Sequence, residues 1–596
     1  MNYENLKNFL KGIYNSNIKV FVSLIVLILI VYSQSLSFNF TSLDDYELIV
    51  NKFHILNRIE NLPFLFKTNL LISESGIYYR PVVSLTFMID TILGGKEVFM
   101  FHLSNVIYHM IASFLFFVLM NIFLQNRFQS FLLSLLFAIH PAFSQAVVWI
   151  PGRNDSLLFI FLVISLILFQ KYLKSIDKRE QRKIIFLILS GSSFFLALLI
   201  KENAFVILFF LILYGVFFEK EKLKFRENIF IGVTYLIPVI GYFVLREKSN
   251  IQKLELENLT LSIPDYIEGI INYIGKIFLP LNLSVITLPE NINLSYGIIS
   301  IAGFLIFSLK GIKNLKIYFY GILWFLFFLI SGIVGFIGFT NFLDHRLYIP
   351  VFGIFLSISQ LKILDRVPSK ILTTFYLLIF IVFIYLNFIH TKSFRDPITF
   401  YESAVRSAPN SFFVQRGIAN VYHRMKEYDK AEIHYRKSLD LNPGSVETLV
   451  NAGINFKRKG NLDSAEFYFL RALRINPAHS TTYNNLGNLY LQKGNFISAE
   501  YYLSKAVEIN PDYFEAYNNL GVLYARLKKD SLAYQNFRKS IEINPDFSEG
   551  NFNLALYFYN INKIDSSRFY YQKAIENGFP EKNILKEKLN LSKQPD

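Results

Sequence analysis

The chain has no cysteine among its 596 residues. That excludes disulfides and cysteine-ligated zinc or iron–sulfur sites, disfavours redox chemistry, and fits an oxidising compartment met without covalent staples. It also lacks the polarity of an ordinary soluble protein. Hydrophobic residues make up 53% and the mean hydropathy is +0.35, so membrane insertion is the first inference. No small-residue cleavage site follows the first apolar run, which therefore reads as an uncleaved span and not a signal peptide. What the sequence has in excess is positive charge, +15 in all, split as +9 over residues 1–390 and +6 over the rest. Its basic runs flank apolar segments, which points to membrane topology and anionic lipid and away from nucleic acid.

Residues 18–36 give ~19 mostly apolar positions, enough to cross a bilayer core of ~30 Å. Lys7, Lys11 and Lys19 precede this span and set the N-terminus in the cytoplasm by the positive-inside rule. Further spans are expected at about 99–121, 128–149, 156–173, 184–200, 203–218, 228–245, 295–309, 317–338, 347–364 and 371–390. The basic connections alternate correctly only if 264–290 does not cross. Pro264, Asp265, Glu268, Lys276, Pro280 and Pro289 make that segment an external interfacial or re-entrant excursion. About eleven spans result, with the C-terminus outside.

From about Asp396 the chain changes character. Asn-Pro recurs at 442–443, 476–477, 510–511 and 544–545, a constant step of 34 residues. Small residues keep the same step, at Ala419, Gly453, Gly487, Gly521 and Ala555, and again at Ala431, Ala465, Ala499 and Ala533. This is the tetratricopeptide pattern, in which small residues let paired helices approach and proline ends the second helix. The expected organisation is a membrane domain over 1–390, with its first external loop at 37–98. A connector and half repeat follow over 391–411, then five repeats over 412–581 and a capping helix and tail over 582–596. The fold class is all-α.

The polar residues near span ends mostly face outward. Asp44 and Asp45 follow the first span; a carboxylate pair beside a hydrocarbon core suggests a site for cations or protons, and a solvated helix cap is the plainer alternative. Arg80, after Tyr78-Tyr79, could bind a phosphate or simply snorkel. His102, Asn105 and His109 share one helical face as helix–helix glue or substrate contacts. His140-Pro141 with Gln145, then Arg153-Asn154-Asp155, form the next outer turn, Lys201-Glu202 the one after, and Asp344-His345-Arg346 the last. Lys201 and Glu202 read as a mutually neutralised pair, or else Lys201 joins Arg80, Arg153 and Arg346 in a cradle for a lipid phosphate. In the repeats, Asn451, Asn455, Asn484, Asn485, Asn488, Asn518 and Asn519 lie on first helices. There they would line a groove for an extended polypeptide, or else are repeat consensus.

Taken together, Asp44-Asp45, Tyr79-Arg80-Pro81, His102-Leu103-Ser104-Asn105, His140-Pro141, Gly152-Arg153-Asn154-Asp155, Lys201-Glu202 and Arg346-Leu347-Tyr348-Ile349-Pro350, followed by the repeats, resemble the tetratricopeptide-containing transmembrane O-mannosyltransferases. Those are GT-C glycosyltransferases related to the protein O-mannosyltransferases. Gln145 stands where the family pattern carries Glu, which weakens a catalytic role for that position. The resemblance implies a polyprenyl- or dolichyl-phosphate sugar as donor, a protein Ser or Thr hydroxyl as acceptor, and chemistry on the external face of the inner or plasma membrane. It makes the first-loop acidic motif catalytic, with Asp44 as base and Asp45 as its partner. Arg80, His102, Asn105, His140, Arg153, Asp155, Lys201, Glu202, His345 and Arg346 are then the donor-phosphate and substrate contacts. A divalent cation could share the work, but no ligand set in the sequence demands a metal. Two other classes stay open at this level: a membrane-anchored repeat scaffold, and a prenyl-linked oligosaccharide ligase or transporter.

Overall fold

Long apolar segments with no water to satisfy their backbones can only close hydrogen bonds internally, and this chain does so as helices. The computed structural model describes residues 11–41, 44–72, 78–176, 183–249, 263–281, 283–288, 292–334 and 343–580, with Leu585 and Leu589. Among these the fold is all-α, with only an isolated bridge between Ile312 and Leu361. The chain divides into two compact units, Met1–Ala408 and Pro409–Asp596.

In the first unit we number the longer helices α1 Asn17–Tyr32, α2 Pro81–Gly94, α3 Val98–Leu124, α4 Arg127–Ile139, α5 Arg153–Ile176, α6 Lys183–Leu198 and α7 Val206–Phe218. They continue as α8 Phe225–Glu247, α9 Ile263–Phe278, α10 Leu294–Leu309, α11 Leu315–Val334, α12 Val351–Ser359, α13 Ser369–Lys392 and α14 Pro397–Ser407. Among the described residues six segments are long and apolar enough to cross a membrane: Asn17–Ser37, Val98–Leu124, Ile150–Ile176, Phe225–Glu247, Leu315–Gly332 and Lys370–Lys392. Pro81–Gly94, Lys183–Leu198, Glu202–Phe218 and Leu294–Leu309 are apolar but shorter.

Two expected spans come out differently. The 128–149 segment is a bent pair, Arg127–Ile139 and Pro141–Val148, turned by 52°. Pro141 has no N–H to continue the helix and holds His140 extended at φ −64°, ψ 123°. The expected 347–364 span is instead a 3₁₀ turn, Asp344–Leu347, followed by the nine-residue α12, about 14 Å long and too short to cross alone. Buried nearly throughout, α12 packs on α11 at paired glycines: a Cβ on Gly353 would meet the Gly321 carbonyl oxygen at 2.2 Å. The 264–290 excursion contains α9, whose Tyr273 and Ile277 are buried while Ile267 is exposed; residues 282, 289 and 290 lie outside the described residues.

The second unit is five helix pairs: Phe412–Arg424 with Tyr428–Leu441, Val446–Arg458 with Leu462–Ile475, Ser480–Lys493 with Phe496–Ile509, Phe514–Arg526 with Asp530–Ile543, and Ser548–Asn560 with Ile564–Glu576. The glycines recurring at the 34-residue step explain the close pairing. A Cβ on Gly453 would meet the Phe469 ring at 2.6 Å, on Gly487 it would meet Leu503 at 2.4 Å, and on Gly521 the Phe537 ring at 2.5 Å. Helix α14, inside the expected connector and half repeat, belongs by its contacts to the first unit. The expected capping helix lies outside the described residues except for Leu585 and Leu589, which are buried against Ala555 and Tyr571.

Candidate functional site

Beyond α1 the chain runs through a 3₁₀ turn, Ser33–Ser37, to Thr41, and the acidic pair stands at the start of the next helical turn. Asp45 is 1% exposed, and one of its oxygens accepts from the Thr41 backbone N–H (2.6 Å) and hydroxyl (2.8 Å). Burial pushes its carboxyl up to about 7, against the Thr41 hydrogen bonds; neighbouring Asp44 adds to the rise and Arg153 opposes it. Asp44 is exposed at the surface yet surrounded by protein atoms. That crowding, with Glu47 second, lifts its carboxyl to about 6.

A series of ion pairs lies near these carboxylates. Arg80 pairs with Glu202 at 3.2 Å and stacks over the Tyr78 ring at 4.4 Å. Lys201 donates to Asp155 at 2.7 Å, and the second Asp155 oxygen lies 3.7 Å from His345 Nε2. Lys276 reaches Asp344 at 2.5 Å and the Thr287 hydroxyl at 2.9 Å. The Tyr78 hydroxyl, raised chiefly by burial, feels the charges of Arg80, Glu202, Arg346 and Asp44. Arg346 also acts on Lys201 and on His345, whose imidazole is held down at about 3 first by burial, against the pull of Asp155. These groups therefore form one electrostatic neighbourhood.

Several expected contacts have other employment. Lys201 and Glu202 do not neutralise each other; each pairs across the fold, because a lysine buried between helices finds its carboxylate on α5. Arg153 is not an outward cation. It is fully buried, donates to Asp90 at 2.6 Å, Thr86 at 3.2 Å and the Phe101 carbonyl at 2.9 Å, and stacks on Phe87. Asn105 donates to the carbonyls of Val147, Trp149 and Ile150, and His109 bridges the Tyr348 hydroxyl and the Ala138 carbonyl, so both fasten helices together. His140 bonds the Ile277 carbonyl and accepts from the Ala142 N–H, while buried His102 meets the Phe38 ring edge-on. Gln145 holds the Asp344–Leu347 turn, accepting from the His345 N–H and donating to the Val285 carbonyl, both at 3.3 Å.

Sequence reasoning missed Asp90, although a lone carboxylate inside the apolar run 81–94 signals a buried cation. It noted Lys276 only as a polar interruption of an excursion. Among the described residues, buried polar atoms without a hydrogen-bonding partner include Asp45 Oδ1, Arg80 Nε, Trp149 Nε1, Asn154 Oδ1, Asp344 Oδ2 and His345 Nδ1. Native proteins leave few such atoms, and these six come from loops, the first turn of α5 and the Asp344–Leu347 turn. No three His, Asp or Glu side chains gather as a metal site among the described residues.

In the repeats, Asn455 is fully buried, donating to the Tyr428 carbonyl and bonded to His423, both at 2.9 Å; it is a packing residue and does not line a groove. The others link successive first helices. Asn451 donates to Asn420 (3.2 Å), Asn488 accepts from Lys457 (3.2 Å), Asn484 accepts from Asn519 (2.8 Å), and Asn518 accepts from Asn553 (2.9 Å).

Fold and site thus define an all-helical membrane protein carrying a C-terminal tetratricopeptide array. The tetratricopeptide-repeat family models match residues 410–478, 480–513 and 514–547. Among curated proteins the chain is similar to human protein O-mannosyl-transferase TMTC3, 33% identical over 23% of this chain and 15% of that protein. It is likewise similar to human protein O-mannosyl-transferase TMTC2, 34% identical over 17% of this chain and 12% of that one. The matches thus span less than a fifth of the length of these two relatives. A thermophilic tetratricopeptide protein of Thermus thermophilus, TTC0263, is 20% identical over 30% of this chain and 98% of its own, with a TM-score of 0.28.

Proposed function

We propose that this protein transfers a sugar, mannose in the first instance, from a polyprenyl-phosphate carrier to a Ser or Thr hydroxyl of a polypeptide. Asp44 takes the hydroxyl proton as the acceptor oxygen bonds to the anomeric carbon. The bond from that carbon to the phosphate oxygen breaks, and the prenyl phosphate leaves with the electron pair. A direct displacement of this kind inverts the anomeric centre and needs one base, consistent with a GT-C enzyme. The observation that carries the reading is that the charges of Arg80, Glu202, Arg346 and Asp44 all act on the Tyr78 hydroxyl, with Asp44 itself exposed. Arg80 and Arg346 oppose the charge growing on the leaving phosphate. Asp45, tied to Thr41, positions the loop that presents Asp44.

The N-terminus is cytoplasmic and the site and repeats face outward, as the basic loops require. Similarity to relatives named protein O-mannosyl-transferases supports the sugar and the polypeptide acceptor. The repeats hold that acceptor near the membrane, using the amide capacity that Asn451, Asn488 and their neighbours retain after bonding one another. The test incubates the purified full chain with radiolabelled polyprenyl-phosphate mannose and a Ser/Thr-rich polypeptide. Alkali-labile label on the polypeptide is expected; label confined to lipid, or transfer only of preassembled chains, would overturn the reading. A reporter fused after Thr391 should score as external, and a cytoplasmic score would reverse the topology.

A further inference from the structure

Near the far ends of α3, α5 and α7 lies a half-open cavity of about 480 Å³, lined also by Asn314, Ile317 and Gln360. From His102 to Phe123 is about 31 Å along α3, and from Asp155 to Gln170 about 22 Å along α5, at 1.5 Å per residue. The cavity therefore lies toward the opposite end of these helices from the proposed transfer site. Its volume falls within the roughly 300–1,000 Å³ range of small-molecule sites.

Its lining is unusual for an apolar bundle. Gln170, 5% exposed within an otherwise apolar span, donates to the Tyr214 hydroxyl at 2.7 Å, which leaves the Tyr214 proton free to donate onward. Buried Gln360 and exposed Gln125 add further primary amides. Asn314 spends its oxygen capping α11 at the Ile317 N–H (3.2 Å) and keeps its NH₂ group for a ligand. Phe123 and Phe218 contribute flat apolar walls, their rings 5.7 Å apart.

We infer that this cavity binds a hexose-like polyol toward the helix ends opposite Asp44. Neutral amides match the mixed donors and acceptors of sugar hydroxyls, and the aromatic walls cover the C–H faces of a pyranose ring. Of the two charged residues at the cavity, Glu219 is already paired with Lys222 at 2.9 Å, and Lys174 is exposed. The polyol can arrive as the head of a membrane glycolipid or as a free sugar. The inference does not depend on the transferase reading, because its test reads binding.

The full chain is reconstituted in phosphatidylcholine nanodiscs and photolabelled with a diazirine-bearing octyl mannoside, and the labelled residues are mapped by mass spectrometry. Label is expected within Ile122–Gln125, Gln170–Lys174 and Tyr214–Glu219, and should fall at least tenfold with excess octyl mannoside but not with octanol. Competition by free mannose at equal concentration would identify a soluble sugar as the source; its failure would identify a lipid-borne head. Tyr214→Phe and Asn314→Asp, which keep the ring and the helix cap, should each cut cavity labelling at least fivefold, whereas Asp44→Asn should leave it unchanged. Equal competition by octanol, absence of label at these residues, or insensitivity to both variants would overturn the inference.

Discussion

The membrane unit and the repeat unit both use ion pairs, and the same interaction does different things in each. Arg153–Asp90, Lys201–Asp155 and Lys276–Asp344 are buried, with side-chain exposures of 7% or less. In the repeats, Lys493 reaches Asp463 and Glu466 at 2.7 Å, but Asp463 is 95% exposed. A buried charge stripped of its partner has no water to turn to, whereas a surface lysine simply rehydrates. The first kind of pair dictates which helices meet; the second decorates a solenoid whose order comes from glycine-to-ring packing.

Breaking that contrast starts with its strongest side. Asp90→Ala should destabilise the membrane unit by about 3–5 kcal/mol, seen as loss of monodisperse protein after detergent extraction. Asp90→Ala combined with Arg153→Met should recover much of the loss, because no lone charge remains. An intermediate effect is expected at the rim: Arg80→Ala, at a pair still 28% exposed on the Glu202 side, should lower transfer about 10²-fold while the protein stays folded. Lys493→Ala should shift the repeat unit by no more than about 1 kcal/mol in a urea titration. Equal destabilisation by Asp90→Ala and Lys493→Ala would remove the distinction altogether.

Acidity separates the two carboxylates of the first loop. A base must be ionised to accept a proton, so kcat/KM should climb with pH through about 6, the value to which Asp44 is raised, and level off above it. Asp45 bears on stability. Its carboxyl is harder to ionise folded than unfolded, so its contribution is full in acid and is lost as pH rises through about 7. Melting temperatures measured from pH 5 to 8 should decline for the native protein and flatten for Asp45→Asn.

How much of this was legible depended on whether a residue's partner lies along the chain or across it. The tetratricopeptide repeats were readable as a class, since a 34-residue step carries small positions and, in four units, an Asn-Pro stop. The break at His140-Pro141 was visible as a proline, but not the 52° bend that follows from it. Lys201 and Glu202 are neighbours in sequence and so read as a pair; only the fold brings Asp155 and Arg80 to them. Periodicity also overstated the 347–364 segment, because a short helix buried on all sides is as apolar as a span facing lipid. The asparagines of the repeats looked free for the same reason: their partners sit on the next repeat, 31 to 35 residues away.

The most direct test of the account is a single-turnover transfer measurement on Asp44→Asn, with donor binding followed in parallel. The account predicts that labelled polyprenyl-phosphate mannose still binds within about threefold of native affinity, while the transfer rate falls by roughly 10²–10⁴, the usual contribution of a positioned base. Transfer within tenfold of the native rate, at native donor affinity, would contradict Asp44 as the base.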